Sequence, residues 1–83
     1  MSPIPKIVSV SAPQEKLLII KFSNGQTKKF NVESVSSRPK YNQLLNYSFL
    51  KNAKVDPSGY AIYWNDEVDL CENELWSKGE PAT

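Results

Sequence analysis

The stretch Lys16-Leu17-Leu18-Ile19-Ile20-Lys21-Phe22-Ser23-Asn24-Gly25-Gln26-Thr27-Lys28-Lys29-Phe30-Asn31-Val32 decides the fold. An apolar, β-branched run, a short turn sequence and a second apolar-polar run form the pattern of an antiparallel hairpin. Asn24 and Gly25 tolerate the positive φ that tight hairpin turns demand. Two registers are open. A two-residue Asn24-Gly25 loop pairs Phe22 with Thr27 and Ile19 with Phe30. A three-residue loop, with Gly25 left-handed in a bulge, pairs Phe22 with Gln26 and Leu18 with Phe30. The second is preferred because it gathers Leu18, Ile20, Phe22, Phe30 and Val32 on one face. It leaves Lys28 on the buried side opposite Ile20. From there the ammonium escapes only by extending its stem past the sheet edge.

Upstream, Lys6-Ile7-Val8-Ser9-Val10 alternates and reads as a strand ending near Pro13. Downstream, residues 34–39 form a polar connector. Ser37 is a candidate N-cap with Pro39 in the first turn of a short helix, and Tyr41, Leu44 and Leu45 follow at helical spacing to a stop near Asn46. Residues 47–50 make a further turn that buries Phe49 or Leu50. Residues 52–56 read as a strand, and Asp56-Pro57-Ser58-Gly59 has type I turn chemistry. Residues 60–64 form a strand pairing back on 51–55, with Tyr60, Ile62 and Trp64 on one side and Ala61 and Tyr63 on the other. After a turn at 65–67 comes a stub strand at Val68. Asp69-x-x-Glu72 matches a capping box opening a helix over 70–77 that buries Cys71 and Leu75. Gly79 stops this helix, and residues 79–83 are expected to be loose. The expectation is one α+β domain over 1–83, with an ordered core at about 5–78. About five to six short antiparallel strands, arranged as hairpins, pack against two short helices.

The bulk properties fit. At 83 residues, with 40% hydrophobic and 23% charged side chains, the chain is long enough for one thin core and too apolar for disorder. A single cysteine forms no internal disulfide. The start, Met1-Ser2-Pro3-Ile4-Pro5, lacks the basic segment and apolar run of a signal peptide, and the apolar run at residues 17–20, like every other in the sequence, is far too short to span a bilayer. These features lead to an expectation of a cytoplasmic protein. Net charge is +1 but uneven: residues 1–55 carry +7 and residues 56–83 carry −6. The halves either neutralise each other on folding or mark a partner surface.

Four pieces together resemble the small bacterial domain family DUF2442. They are Ile7-Val8-x-Val10, Leu18-x-Ile20-x-Phe22-x-Asn24-Gly25, Phe30-Asn31-Val32, and Ile62-x-Trp64-Asn65-x-x-Val68-Asp69-Leu70-x-x-x-x-Leu75. The resemblance spans about residues 5–76, and its most specific part runs from Trp64 to Leu75. Asn24 and Asn31 stand where the family usually has Asp, and Tyr47 where Pro is common. The resemblance implies a compact α+β fold with antiparallel strands packed on two short helices. It supplies no activity and no functional residues. Because genes for such domains sometimes lie beside toxin–antitoxin-like partners, it also implies a protein-binding role.

No catalytic constellation is legible. The chain contains no histidine, which removes the commonest general base and metal ligand. Cys71 reads as an inert core thiol through its spacing to Leu75, and three glycines make no phosphate loop. The acids Asp66, Glu67, Asp69, Glu72 and Glu74 lack calcium-loop spacing. Capping accounts for Asp69 and Glu72, and solvated surface for the rest. No cofactor, metal or catalytic residue is expected, so the chain reads as a non-enzymatic binding domain. Its candidate protein contact is Tyr63, Val68, Leu75 and Trp76, since Trp and Tyr commonly anchor interfaces. The competing reading is that Trp76 simply covers the sheet edge. The partner would be a second copy or a neighbouring gene product. The alternative is nucleic acid held by the hairpin lysines Lys16, Lys21, Lys28 and Lys29, against which the bland role of these lysines is to keep an edge soluble. No membrane association is expected.

Overall fold

A computed structural model describes residues 4–82. Strands β1 (Ile7–Gln14), β2 (Leu17–Phe22) and β3 (Thr27–Asn31) form a meander, extended on its far side by β7 (Glu80–Pro81). A second, three-stranded sheet contains β4 (Lys54–Val55), β5 (Ala61–Tyr63) and β6 (Asp69–Cys71), and all neighbouring strands are antiparallel. Helices α1 (Tyr47–Leu50) and α2 (Glu72–Lys78) complete the α+β architecture.

The central hairpin adopts the three-residue-loop register: Leu18 pairs with Phe30 and Ile20 with Lys28. Phe22 N–H donates to Gln26 O at 2.9 Å, and Gly25 takes the left-handed conformation at φ 89°. Asn24 Oδ1 accepts from Gln26 N–H, which fixes the tip. The period-two alternation therefore buries Leu18, Ile20, Phe22 and Phe30 together. Each such side chain contributes roughly 1.5–3 kcal/mol relative to exposure. Strand β1 runs one residue beyond Pro13 before turning through Glu15 and Lys16, the latter left-handed at φ 64°.

The connector departs from the expected helix. Residues Pro39–Leu45 form a 3-10 helix whose N-cap is Arg38 and not Ser37. At three residues per turn, positions i and i+3 eclipse, so Tyr41 and Leu44 share the buried side while Leu45 turns outward. The Tyr41 hydroxyl donates to Asp69 O at 2.8 Å, tying this segment to β6. Asn46 caps α1 through its side chain, and of Phe49 and Leu50 it is Leu50 that is fully buried. Trp64 Nε1–H donates to Leu50 O at 2.9 Å, satisfying the one polar group of an otherwise apolar ring.

Three expectations near the C-terminus are corrected. The Asp69–Glu72 capping box does not form. Pairing of Ala61 with Cys71 extends β6 through Cys71, which becomes the N-cap of α2 without a side-chain bond. Cys71 consequently follows strand alternation, with Leu70 inward and Cys71 outward, and the thiol is exposed and not buried. The segment after Gly79 is ordered as β7, with Lys28 paired to Pro81 and Lys29 to Glu80, where a loose tail was expected; Thr83 lies outside the described residues. The tail closes an edge that β3 would otherwise present to solvent.

One bond links the two sheets at their margin: Ile7 N–H donates to Gly59 O at 2.8 Å. Gly59 ends the Asp56–Gly59 turn at φ 78°, and a Cβ there would stand 2.9 Å from Lys6 Cβ, so the close approach of β1 requires glycine.

Candidate functional site

The expected protein contact is not brought together. Val68 and Leu75 are both fully buried and cannot touch a partner. Trp64 N–H donates to Val68 O, closing a turn that aims Val68 into the core, and Leu75 lies on the inward side of α2. Trp76 is half-buried, edge-on to Phe22 with ring centroids 5.0 Å apart. It covers the sheet edge. Tyr63 is half-buried on β5, between its strand partners Lys54 and Asp69.

The hairpin lysines are similarly dispersed. Lys28 leaves the buried side as its register demands: its Nζ donates to Trp76 O at 2.7 Å and lies 3.8 Å from the Trp76 ring centroid. The ammonium thus meets a carbonyl in the last turns of α2, where the helix dipole favours a cation. Lys16 faces Glu33 at 3.8 Å and Lys29 faces Glu80 at 4.0 Å. Lys21 is exposed with no ion pair among the described residues. Beside Lys29, a hollow of about 430 Å³ lined by Leu17, Asn31, Lys78 and Glu80 has its lysines answered in the same way, because Lys78 donates to Glu74 at 3.0 Å. Glu74 also faces Arg38, joining α2 to the 3-10 segment.

A different surface stands out at the margin where the sheets meet. Val8 and Tyr60 each follow one partner of the Ile7–Gly59 bond, and they are 56% and 53% exposed. Val8 is the extra residue of a β-bulge, since Ile7 pairs with Phe22 but Ser9 with Lys21. Tyr60 precedes β5 and overhangs the end of the sheet, so its ring does not join Ile62 and Trp64 inside as strand alternation proposed. Lys6 Nζ stands 5.2 Å from the Tyr60 ring centroid. Next to them a hollow of about 540 Å³ is lined by Ile4, Pro5, Lys6, Ser23, Tyr60 and Glu72. Its lining residues are tied together by two backbone bonds, Ser23 N–H to Lys6 O and Glu72 N–H to Tyr60 O, and by Lys6 N–H donating to the Ser23 hydroxyl oxygen. Oxygen Oε2 of Glu72 is closed off from solvent and has no hydrogen-bond partner among the described residues. Sequence reasoning missed this site because its parts come from four distant segments. The only local signal was an aromatic directly after a turn glycine.

Nearby, Asp56 is held below the ordinary carboxylate value of 3.8, first by the hydroxyl of Ser58 and then by its backbone N–H. This stabilises the turn that carries Gly59 and Tyr60. Among the described residues no three His, Cys, Asp or Glu side chains converge as metal ligands, and no helix is long and apolar enough to cross a membrane.

Two antiparallel sheets, two short helices and a core shared between them define a small α+β domain. The chain belongs to the family of proteins of unknown function DUF2442, whose model matches residues 7–81. No curated protein and no solved structure gives a significant match.

Proposed function

We propose that this DUF2442 domain is a non-enzymatic, cytoplasmic protein-binding module whose contact surface is the Val8–Tyr60 margin and the adjoining hollow. The observation that carries the reading is the pairing of two exposed large apolar side chains with a shaped recess on a backbone fixed by hydrogen bonds. A Tyr that stands out from a rigid turn supplies contact area at low entropic cost, and interface energy concentrates in such anchors. The partner is another polypeptide, either a second copy or the product of a neighbouring gene of toxin–antitoxin-like type. Nucleic acid finds less support, since three of the four hairpin lysines already have a carboxylate or carbonyl beside them.

The test is site-specific photo-crosslinking in the native cell, with the crosslinking residue at position 8 or 60, and at the exposed position 42 as a control. A discrete adduct from 8 and 60 that is absent from 42, and that an excess of the unaltered chain competes away but the Tyr60→Ala chain does not, supports the reading. Equal labelling from all three positions refutes it.

A further inference from the structure

We infer that the hollow between Tyr60 and Glu72 receives a cationic, hydrogen-bond-donating side chain of the partner, an arginine guanidinium. This deepens the protein-binding reading and rests on it. The hollow offers Ile4 and Pro5 as apolar wall, the exposed Tyr60 ring as a stacking face and Glu72 as the only carboxylate among the described residues that line it. A carboxylate oxygen withdrawn from water without a donor carries an uncompensated desolvation cost, and a donor delivered by a ligand relieves it. The terminal torsion of a glutamate is soft, so the Glu72 carboxylate can turn to present either oxygen to a donor in the recess. Guanidinium suits both elements, because it is planar, stacks on aromatic faces and donates in a fork to carboxylates. Lys6 already places a cation 5.2 Å from the centroid of the same ring, which makes Lys6 the competitor to be displaced. An anionic ligand would meet the unpartnered Glu72 carboxylate in the same hollow as Lys6, and the balance of unmet bonding favours the cation.

The experiment titrates the full, isotope-labelled chain with N-acetyl-arginine amide and, separately, with the neutral N-acetyl-citrulline amide, following backbone amide signals by NMR. Saturable shifts confined to Lys6, Ser23, Tyr60 and Glu72 are expected with the arginine probe. They weaken about tenfold or more with citrulline and in Glu72→Gln, as befits loss of a charge-assisted bond. Lys6→Gln tightens binding by removing the competing charge. Absence of saturable shifts, equal response to both probes, or loss of binding in Lys6→Gln overturns the assignment. The citrulline comparison needs no mutation, so it stands even if Glu72→Gln folds poorly. Should the crosslinked partner be lost in Tyr60→Ala but retained in Glu72→Gln, the protein-binding reading survives and the guanidinium does not.

Discussion

Replacing Lys28 by methionine isolates the most unusual packing decision in this domain. The hairpin register forces residue 28 onto the inner side opposite Ile20, and the lysine resolves the conflict by reaching the Trp76 carbonyl and ring. Methionine keeps most of the stem and discards the charge. A charge-assisted hydrogen bond is worth roughly 1.5–3 kcal/mol, and a partly desolvated cation–π contact about 0.5–2 kcal/mol. The two share one ammonium and do not add fully, and methionine recovers part of the loss through better burial. The net expectation is a destabilisation of about 1.5 kcal/mol. For a domain of this size each kcal/mol lowers Tm by about 4–8 °C, so the shift is about 6–12 °C. Urea unfolding followed by tryptophan fluorescence measures it, with an unchanged slope as the check that only stability moved. A Lys28→Met protein as stable as the parent would mean that the ammonium is no better placed on Trp76 than in water, and the account of the register conflict would fail.

The two left-handed turn glycines separate strain from crowding. Gly25→Ala meets open space and loses about 1 kcal/mol from backbone conformation alone, whereas Gly59→Ala also collides with Lys6 and loses clearly more; equal losses in denaturant melts would contradict the close approach of β1. Asp56, with its folded pKa depressed, contributes stability that is fully present above its unfolded value of 3.8 and disappears as pH falls through the lower folded value. Ser58→Ala should therefore raise the Asp56 titration midpoint seen by carboxyl-carbon NMR and flatten the acid limb of the stability curve; an unmoved midpoint refutes the assignment. Cys71 should react with a thiol reagent in the native protein at nearly the rate of the denatured chain, and protection of many fold would return it to the core.

What the sequence made legible is what depends on short-range periodicity. The 16–32 hairpin announced its register because only one pairing placed Leu18, Ile20, Phe22 and Phe30 on the same face, and the Asp56-Pro57-Ser58-Gly59 turn announced itself through its own side chains. Competition between elements was less readable. Cys71 sits in a segment that suits a helix by spacing, yet β5 recruits it into a strand, because lateral hydrogen bonds to Ala61 are a tertiary matter. The same holds for residues 80–81, whose strand exists only because β3 has a free edge. The candidate site was hidden for a related reason. Glu72 looked like a cap and Tyr60 like core, and their roles emerge only when Lys6 and Ser23 arrive from elsewhere.

The β2–β3 turn grips the chain on both flanks, through Ser23 N–H to Lys6 O on one side and Ala82 N–H to Thr27 O on the other. Four adjacent strands put these two anchor points about 14 Å apart at the usual interstrand spacing. Residues 6 and 82 thus lie at a common end of the sheet, and a bridge of about five to eight residues could join the two in a ring. A circular permutant reopened in the exposed 65–67 turn should fold to the same architecture, because no paired strand is cut. The same geometry advises against placing an affinity handle hard against Ala82, where it would compete with β7 for the β3 edge.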